Sequence, residues 1–363
     1  MVQIFLNKRI INERKKITIT DIARLAGVSI GTVDRVIHER GQVSRKTRDI
    51  ILKIIQEVNF SPDILASMLA SKKTYRFIIL IPEYQEDSSF WKSPLSGMKK
   101  AVAEVGHYGI NADYFFFDQF DSESFRVNAE KIIALKPDGL LFAPVQYKQA
   151  LELAQLCDEH CIPFVFINSN IEELNYLSYI GQNSVQSGYL SAKLMSMGFI
   201  AGSDVLVVNI SRQIANHRHI IKRNKGFEDY FHDHPDINIK LHILNIENTC
   251  QESVNEHLDE AFGLYKNIFG IYVPSSRVYK AAKYLNDKKI NRRLIGYDLI
   301  EENISYLKNG IIDFLISQKP VEQGYHGIMA LFNHLVLKKG FKKNLYLPID
   351  IITSENLSYY LEF

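Results

Sequence analysis

The sequence is poor in the features of secreted and membrane-spanning proteins. Its three cysteines, Cys157, Cys161 and Cys250, form neither a disulfide framework nor a metal-binding spacing, so we expect reduced, buried thiols, the first two on one helix. No apolar run reaches the roughly 18 residues that a membrane span needs. Residues 1–16 lack the continuous apolar core and cleavage site of a secretory signal. We therefore expect a cytoplasmic protein with no membrane partner.

Signatures of catalysis are also missing. The sequence contains no G-x-x-x-x-G-K-[ST], no G-x-S-x-G and no G-x-G-x-x-G after a strand, so phosphate-cradling and serine-nucleophile chemistries lack support. Two pairs of histidines, His217 with His219 and His232 with His234, are spaced like metal ligands in a strand, but the surrounding pattern is a loop and a helix. We expect no metal, no cofactor, no catalytic residue and no enzymatic activity.

Positive charge, by contrast, is concentrated at one end of the chain. Residues 1–76 contain fifteen Lys or Arg and seven Asp or Glu, a net charge of +8, whereas the whole chain has a net charge of +2. Residues 77–363 therefore have a net charge of −6. A basic segment on an otherwise acidic chain is typical of a nucleic-acid-binding domain, because it neutralises phosphates.

The same segment has the pattern of a helix-turn-helix within residues 17–60. Thr20, Ser29 and Ser44 are placed to cap three short helices, and Gly27 supplies the turn between the first two. Each helix has an apolar face, made of Ile22, Ala23 and Ala26, of Val33, Val36 and Ile37, and of Ile51, Ile54, Ile55 and Val58. A helical bundle that serves only dimerisation would show the same periodicity. The basic charge favours DNA binding.

In a helix-turn-helix the second helix enters the major groove with its first residues toward the base edges. The candidate readers here are Ile30, Gly31, Thr32, Asp34 and Arg35, and Arg35 is the best candidate for a guanine contact. Gly31 inside a helix costs about 1 kcal/mol relative to Ala, which favours a close approach to a base or sugar. Asp34 either accepts from a cytosine amino group or pairs with His38 one turn on, and the pairing is slightly favoured.

The motifs TITDIARLAGVS, TVDRVI, VSRKTRDII and NFSPDILASMLASKK occur in this order and resemble the LacI/GalR family of bacterial transcriptional regulators. The resemblance extends over the whole chain. It implies double-stranded operator DNA as partner, a phosphate-binding start to the third helix, and DNA contacts from Thr20, Ser29, Ile30, Gly31, Thr32, Asp34, Arg35, His38, Ser44, Lys46, Thr47, Arg48, Ala66 and Leu69. Ile30, Gly31 and Asp34 depart from the usual family residues, so the operator sequence is not carried over.

Residues 61–74 are expected to form a hinge. Pro62 stops the third helix, and the eight residues DILASMLA are too few for a stable isolated helix, which needs about 12 to 15 residues. The resemblance implies that this helix forms on the operator beside its twin from a second subunit. Ala66 then permits close approach in the minor groove and Leu69 wedges between base pairs. An Ala-rich linker helix packed on the core is the alternative.

From Tyr75 onward, short apolar runs alternate with amphipathic helical stretches, which predicts parallel sheets covered on both faces. Strands are indicated at FIILIP, DYFFFD, GLLFAP, PFVFINS, DVLVVNI, LHILNI, FGIYVP, LIGYDL and DFLISQ. The predicted fold class is an all-α head, a hinge helix and an α/β core of two doubly wound parallel-sheet subdomains, which the family resemblance makes periplasmic-binding-protein-like. Chain crossings near Gly181, Gln318 and Pro348 would give lobe 1 as 75–181 and 319–347, and lobe 2 as 182–318 and 348–363.

Ligands of such folds bind beyond the carboxyl ends of the strands. The resemblance implies that the residues at the pocket positions of related sugar receptors bind ligand, and these are Ser89, Phe90, Trp91, Asn168, Arg223, Ser275, Asp298 and Gln318. Aromatic rings stack on the C–H face of a sugar, while planar polar groups bind its hydroxyls. Each residue also has an ordinary structural interpretation: Phe90 and Trp91 as core, Arg223 paired with a surface acid, Asp298 as a helix cap. Asn168 and Ser275 stand where Asp and Asn are usual, which leaves a larger sugar or a nucleoside open.

Together these features predict a homodimeric, ligand-responsive transcription factor that binds a pseudo-palindromic operator and senses a sugar or related metabolite between two lobes. Repression is favoured over activation. A regulator controlled by a partner protein, and an α/β enzyme with an added DNA-binding head, are the alternatives. A periplasmic solute receptor is disfavoured, because it needs an export signal and no basic head.

Overall fold

The computed structural model describes residues 17–37, 41, 43–58, 60, 73–84, 90–198 and 202–361. The chain forms two compact units, residues 1–71 and residues 72–363, which we call the head and the body. The predicted N-terminal extension and nearly all of the hinge lie outside the described residues. The same holds for His38, Ala66, Leu69 and Ser89.

The described part of the head contains three helices, α1 Ile19–Ala26, α2 Ile30–Ile37 and α3 Arg45–Glu57. Their buried residues form one small core, made of Ile22, Ala23, Val33, Val36 and Ile51. Ala26, Ile37, Ile54 and Ile55 are partly buried and pack against it. The predicted inward faces are confirmed except at Val58, which is half-buried and follows α3 as its C-cap. Three amphipathic helices that are too short to persist alone are held by shared burial.

Two of the three predicted helix caps are correct. The Ser29 and Ser44 hydroxyls accept hydrogen bonds from the Thr32 and Thr47 amides, each at 3.2 Å. The third was wrong, because α1 is capped by Thr18 and not by Thr20, which lies inside the helix and is exposed. Thr18 has Asp21 three residues later, and the two residues bond reciprocally in a capping box. Thr20 has Ala23 at that spacing and cannot form this pair.

The body contains two six-stranded sheets, each with helices on its faces. The first sheet has the strand order β11-β5-β4-β3-β1-β2, and all its neighbouring strands are parallel. Its strands are β1 Tyr75–Pro82, β2 Ile110–Phe117, β3 Gly139–Phe142, β4 Phe164–Ile167, β5 Ser178–Gly181 and β11 Asn344–Tyr346. The centre of this sheet is fully buried, as continuous apolar runs predict for a sheet covered on both faces.

The second sheet has the order β12-β10-β9-β8-β6-β7 and is parallel except for β12, which runs antiparallel to β10. Its strands are β6 Asp204–Ile210, β7 Lys240–Ile246, β8 Ile268–Tyr272, β9 Arg293–Tyr297, β10 Phe314–Ser317 and β12 Asp350–Ile352. All nine predicted strands are present. The sequence did not indicate β5, β11 and β12, because each has only three or four residues and none is a long apolar run.

Ten helices of the described body follow the strands. They are α4 Lys92–Val105, α5 Ser122–Ala134, α6 Tyr147–Glu159, α7 Ser184–Ser196, α8 Arg218–Asp233, α9 Gln251–Leu264, α10 Val278–Lys288, α11 Glu301–Lys308, α12 Pro320–Leu335 and α13 Ser358–Leu361. Among the described residues, no helix is both long enough and apolar enough to cross a membrane.

Two pairs of helices approach each other closely through glycines. A Cβ added to Gly188 of α7 would lie 1.9 Å from the Arg223 carbonyl oxygen of α8, and one added to Gly226 of α8 would lie 1.8 Å from the Val185 carbonyl oxygen of α7. Gly97 of α4 and Gly324 of α12 have the same reciprocal relation beside the first sheet. Any larger residue would push the helices apart. The α7–α8 contact therefore fixes where α8 directs its side chains.

The cysteine prediction was partly wrong. Cys157 is buried in α6, where burial raises the pKa of its thiol. Cys161 and Cys250 are exposed. Cys161 follows the end of α6 with φ of 55°, and Cys250 caps α9, its sulfur accepting from the Ser253 amide at 3.4 Å. All three thiols are free, as predicted.

Candidate functional site

The predicted DNA-contacting residues of the head form a polar, accessible surface. Ser29, Ile30, Gly31, Arg35, Ser44, Lys46 and Arg48 are exposed, whereas Thr32, Asp34 and Thr47 are half-buried. Ile30, the first residue of α2, is 52% exposed despite being apolar. An exposed isoleucine at the start of α2 is unexplained by the packing of the head and suits contact with a base or its methyl group.

Gly31 is also unexplained by the packing of the head. A Cβ added there would meet only the Ser29 hydroxyl oxygen, at 3.9 Å, which is an ordinary contact. Gly31 has no positive φ that would call for glycine. Because glycine weakens a helix, its presence without an internal reason supports the predicted close approach of α2 to DNA.

In the body, one cavity lies at the carboxyl ends of the strands of both sheets. It holds about 530 Å³ not filled by protein atoms, part of it open to solvent. Seven of the eight predicted ligand-binding residues line it, namely Phe90, Trp91, Asn168, Arg223, Ser275, Asp298 and Gln318. The structure thus brings together residues up to 228 positions apart, from Phe90 to Gln318.

The two walls of the cavity come from different sheets. The wall beside the first sheet, which we call the aromatic wall, consists of Phe90, Trp91, Gln119, Val145 and Asn168. The wall beside the second sheet, which we call the charged wall, consists of Ser211, His217, His219, Ile220, Arg223, Ser275, Ser276, Arg277 and Asp298. Gln318, which follows β10, stands where the chain leaves the second sheet.

Arg223 is the largest fully buried side chain of the described chain, with 1% exposure. It lies within α8 and, unlike Asn168 and Asp298, does not follow a strand. Its Nη1 donates to the Pro274 carbonyl oxygen at 2.8 Å, and its guanidinium lies 3.7 Å from the centre of the Tyr297 ring. Its Nε has no hydrogen-bond partner among the described residues. Arg223 also lines the cavity, and a buried guanidinium with an unpartnered donor favours an acceptor group there.

Asp298 and Gln318 form a second polar group. Gln318 Nε2 donates to both carboxylate oxygens of Asp298, at 2.8 and 2.9 Å, and Gln318 Oε1 lies 3.5 Å from Asn168 Nδ2. Asn168 and Asp298 both have left-handed backbone conformations, with φ of 67° and 72°. Such turns at the ends of β4 and β9 direct both side chains over the sheet edges.

Burial raises the pKa of the Asp298 carboxyl to about 6, although nearby Arg223 and the bond from Gln318 oppose this rise. Asp298 does not cap a helix, since α11 begins after Ile300 without a side-chain cap. Its buried carboxyl accepts from Gln318 and lines the cavity.

Three basic side chains of the charged wall were not predicted to bind ligand. His217 and His219 were considered only as metal ligands, and no group of three His, Cys, Asp or Glu suited to a metal occurs in the described ranges. Burial, and then the charge of Arg277, lower the pKa of His217 to about 4. Burial and the charges of Arg223, His217 and Arg277 lower the pKa of His219 well below its usual value. Both imidazoles are therefore neutral at pH 7.

Five further lining residues were missed, although a general rule points to most of them. Gln119, Val145, Ser211 and Ser276 follow strands β2, β3, β6 and β8 within four residues. Carboxyl ends of parallel strands meet at one edge, so these positions were accessible to sequence reasoning. Ile220 and the two histidines stand in the first turn of α8 or just before it, and their placement depends on how that helix packs.

The segments that cross between the two sheets are joined by one glutamine. Gln182 follows β5, is 3% exposed, and its Nε2 donates to the Ser317 carbonyl oxygen at 2.7 Å and to the Pro348 carbonyl oxygen at 3.2 Å. It thereby links all three crossing segments. Nothing in the composition around Gln182 indicated this role.

Direct contacts also bridge the cleft outside the cavity. Lys222 Nζ lies 2.6 Å from Glu172 Oε1, and Asn216 Nδ2 donates to Gln146 Oε1 at 3.3 Å. The Arg218 guanidinium lies 4.2 Å from the centre of the Tyr147 ring. Because each contact joins an element of one sheet to an element of the other, they hold the walls together around the cavity.

Comparisons with known proteins agree with this architecture. Residues 18–63 match the model described as bacterial regulatory proteins, lacI family, and residues 78–339 match the periplasmic binding protein domain. The HTH-type transcriptional regulator MalR of Streptococcus pneumoniae is 26% identical over 205 residues, which cover 54% of this chain and 60% of MalR. The chain thus spans about three fifths of the length of this curated relative.

Solved structures resemble the body. A putative LacI transcriptional regulator from Bacteroides fragilis is 30% identical, with a TM-score of 0.74 over 79% of this chain and all of that chain. GanP, a glucose-galactose binding protein from Geobacillus stearothermophilus, is 20% identical, with a TM-score of 0.69 over 78% of this chain and 99% of that chain. At this lower identity the likeness to GanP concerns the fold alone.

Proposed function

Because the chain belongs to the LacI family of bacterial regulatory proteins and carries a periplasmic binding protein domain, we propose that it is a ligand-responsive transcriptional repressor. It binds a pseudo-palindromic operator as a homodimer in the cytoplasm, where the DNA is. A sugar or related small metabolite in the cavity is its effector. Its family consists of regulators and not of enzymes, so catalysis has no part in the proposal.

The proposal is supported by two features of the same chain, the exposed residues at the start of α2 in the head and the buried charged residues at the cavity in the body. The head presents Ile30, Gly31 and Arg35 on α2 without an internal structural reason for the first two. The body buries Arg223 and Asp298 beside the cavity, and burial of a charged group is costly unless the group gains a partner. A DNA-binding surface and a small-molecule site in one polypeptide are the two components of an allosteric regulator.

The cavity supports a sugar-type effector. The Phe90 and Trp91 rings meet edge to face with centres 5.2 Å apart on the aromatic wall, and Asp298, bonded by Gln318, lies on the charged wall. An aromatic face and planar hydrogen-bonding groups on opposite sides are what a sugar ring requires. GanP, which shares the fold, is a glucose-galactose binding protein.

We further propose that residues 75–181 with 319–347, and residues 182–318 with 348–363, act as two lobes that close on the ligand. Gln182 ties the crossing segments at the pivot, while the Lys222–Glu172 pair forms only when the walls are together. Ligand would shift the population toward the closed form. Ala66 and Leu69 of the hinge stay the predicted minor-groove contacts through which closure reaches the operator.

The experiment that tests this function uses the full chain and a pool of random duplexes. Repeated selection at modest ionic strength is expected to enrich a sequence with two-fold symmetry, and light scattering is expected to give a dimer. Gly31→Ala is the informative variant, because it should stabilise the head by about 1 kcal/mol yet weaken binding to the selected duplex. Lys99→Met, which removes an exposed charge from α4 of the body, is the control for non-specific electrostatics. Selection that enriches no symmetric sequence contradicts the proposal.

A further inference from the structure

The charged wall is richer in cations than a neutral sugar requires. It contains the guanidinium groups of Arg223 and Arg277, and the only carboxylate among the described lining residues is that of Asp298. The segment SRQIANHRHIIKR, residues 211–223, supplies much of this wall and contains no acidic residue, and of its four Lys or Arg it is Arg223 that lines the cavity. Residues 77–363 together have a net charge of −6, so the positive cleft is set in an acidic body.

Hydrogen-bond donors also exceed acceptors on this wall. The guanidinium groups only donate, and Asp298, the strongest acceptor, already accepts twice from Gln318. Arg223 Nε is left without a partner among the described residues, although the side chain is 99% buried and lines the cavity. A sugar hydroxyl both donates and accepts, whereas carboxylate and phosphate oxygens only accept, which matches the surplus of donors.

The start of α8 adds to this preference. The helix has 16 residues and begins at the cavity, where its N-cap residue His217 makes no side-chain hydrogen bond to the first turn. The amino end of a helix carries partial positive charge and favours anions. Arg277, itself the N-cap of α10, stands beside it on the same wall, and its charge lowers the pKa of His217.

From these observations we propose that the effector is a sugar carrying an oxyanion, either a carboxylate or a phosphate, which binds between Arg277, Arg223, His217 and the start of α8. Its ring lies toward Phe90 and Trp91, and its hydroxyls toward Asp298 and Gln318. The inference rests on the proposed function, since it specifies the ligand of the same cavity.

The test measures binding to the full chain by calorimetry and thermal shift. The probes are D-gluconate, D-galacturonate and D-glucose 6-phosphate, with D-glucose and D-galactose as neutral counterparts and inorganic phosphate as the bare oxyanion. We expect at least one charged sugar to bind about 100-fold more tightly than its neutral counterpart, as a charge-assisted pair in a buried site allows. The carboxylate and phosphate arms tell which oxyanion fits. Phosphate at constant ionic strength is expected to raise the melting temperature above that in chloride.

Variants assign the effect to the charged wall. Arg277→Met is expected to remove the response to phosphate and the preference for the charged sugar. Arg126→Met, which removes an exposed guanidinium from α5, is expected to keep both. Arg277→Lys retains the charge without the planar fork and is expected to give an intermediate affinity, which keeps the test valid if the methionine variant folds poorly.

Two results would overturn the inference. One is a neutral sugar that binds as tightly as its charged counterpart. The other is a wild-type protein in which neither phosphate nor any charged sugar is better than chloride. Failure of the proposed function would give a different result. A charged sugar would then bind the cleft as expected, but the affinity for the selected duplex would stay unchanged.

Discussion

The aromatic wall and the charged wall enclose the same cavity with different chemistry. The aromatic wall has two rings, two amides and a valine and carries no charge among its described members. The charged wall has two guanidinium groups, two imidazoles, three hydroxyls and a carboxylate. Each wall belongs to a sheet of six strands in similar order, so the difference lies in the residues that follow the strands and not in the fold.

We infer that the charged wall selects the ligand and that the aromatic wall adds affinity for it. Buried charges are costly without partners, so the charged wall discriminates strongly between ligands that supply a partner and ligands that do not. Rings and amides discriminate less, but they bind any sugar face that the other wall has positioned. We therefore expect substitutions on the charged wall to decide whether ligand binds, and substitutions on the aromatic wall to change how tightly the lobes close.

Arg223→Met should have the largest effect. The substitution removes the guanidinium that lies over the Tyr297 ring and near Asp298. Loss of one partner in a buried charged contact costs about 2 to 5 kcal/mol, or about 30-fold to several thousand-fold in affinity. Calorimetry with the tightest-binding probe is expected to detect no binding, while affinity for the selected duplex without ligand is kept. Lys225→Met, which removes an exposed lysine from the same helix, is the control. Retained ligand binding in Arg223→Met would show that the charged wall is not the site.

Asp298→Asn should weaken ligand binding about 100-fold and at the same time stabilise the body. Because burial raises the pKa of Asp298 to about 6, above its usual value of 3.8, the ionised carboxylate destabilises the fold above pH 6, and this cost disappears as the pH falls through 6 toward 3.8. Asparagine also tolerates the left-handed backbone at this position.

The stability gain of Asp298→Asn is expected to be on the order of 1 to 3 kcal/mol at pH 8 and close to zero at pH 4, measured by denaturant unfolding. Asp259→Asn is the opposite control, since a bond from Lys288 lowers the pKa of that exposed carboxyl. A variant that is less stable than the wild type at pH 8 would argue against the buried, functional charge.

Phe90→Leu tests the aromatic wall. Leucine keeps part of the apolar contact but loses the flat face, so we expect ligand affinity to fall about 3- to 10-fold, within the range of an aromatic stacking contribution. The preference for charged over neutral sugars should stay unchanged, because it belongs to the other wall. A change in that preference, seen in the same calorimetric panel, would mean that the two walls do not divide the tasks as described.

Lys222→Met should have the smallest effect. Its ion pair with Glu172 spans the cleft, but the two side chains are 31% and 64% exposed, and exposed pairs contribute about 0 to 1 kcal/mol. Ligand affinity is therefore expected to change less than about 5-fold, with weaker dependence on salt than in the wild type. A loss as large as that of Arg223→Met would place the main closing contact outside the cavity.

Much of this site was accessible to sequence reasoning, because a physical rule connects strand ends in parallel sheets. Asn168, Ser275, Asp298 and Gln318 follow strands that the apolar runs identify, and the structure places them around one cavity. The apolar faces of the three head helices could also be predicted from the sequence, because burial on one face sets the spacing of the apolar residues.

What could not be predicted depends on tertiary packing. His217 and His219 reach the cavity because Gly188 and Gly226 let α8 lie against α7, a contact that no local pattern reveals. Gln182 acts through carbonyl groups 135 and 166 residues away. The error at Thr20 was different in kind, because the capping box between Thr18 and Asp21 was readable and was overlooked. Cys161 and Cys250 were assumed buried from composition, which says nothing about position.

Coupling between the cavity and the DNA-binding surface is measured by the dissociation constant of the selected duplex, determined by fluorescence anisotropy with and without a saturating charged sugar that binds the cavity. We expect a change of about 5- to 150-fold, the usual range of allosteric coupling, in the wild type and no change in Arg223→Met. A sugar that occupies the cavity of the wild type and leaves the duplex affinity unchanged would contradict this expectation.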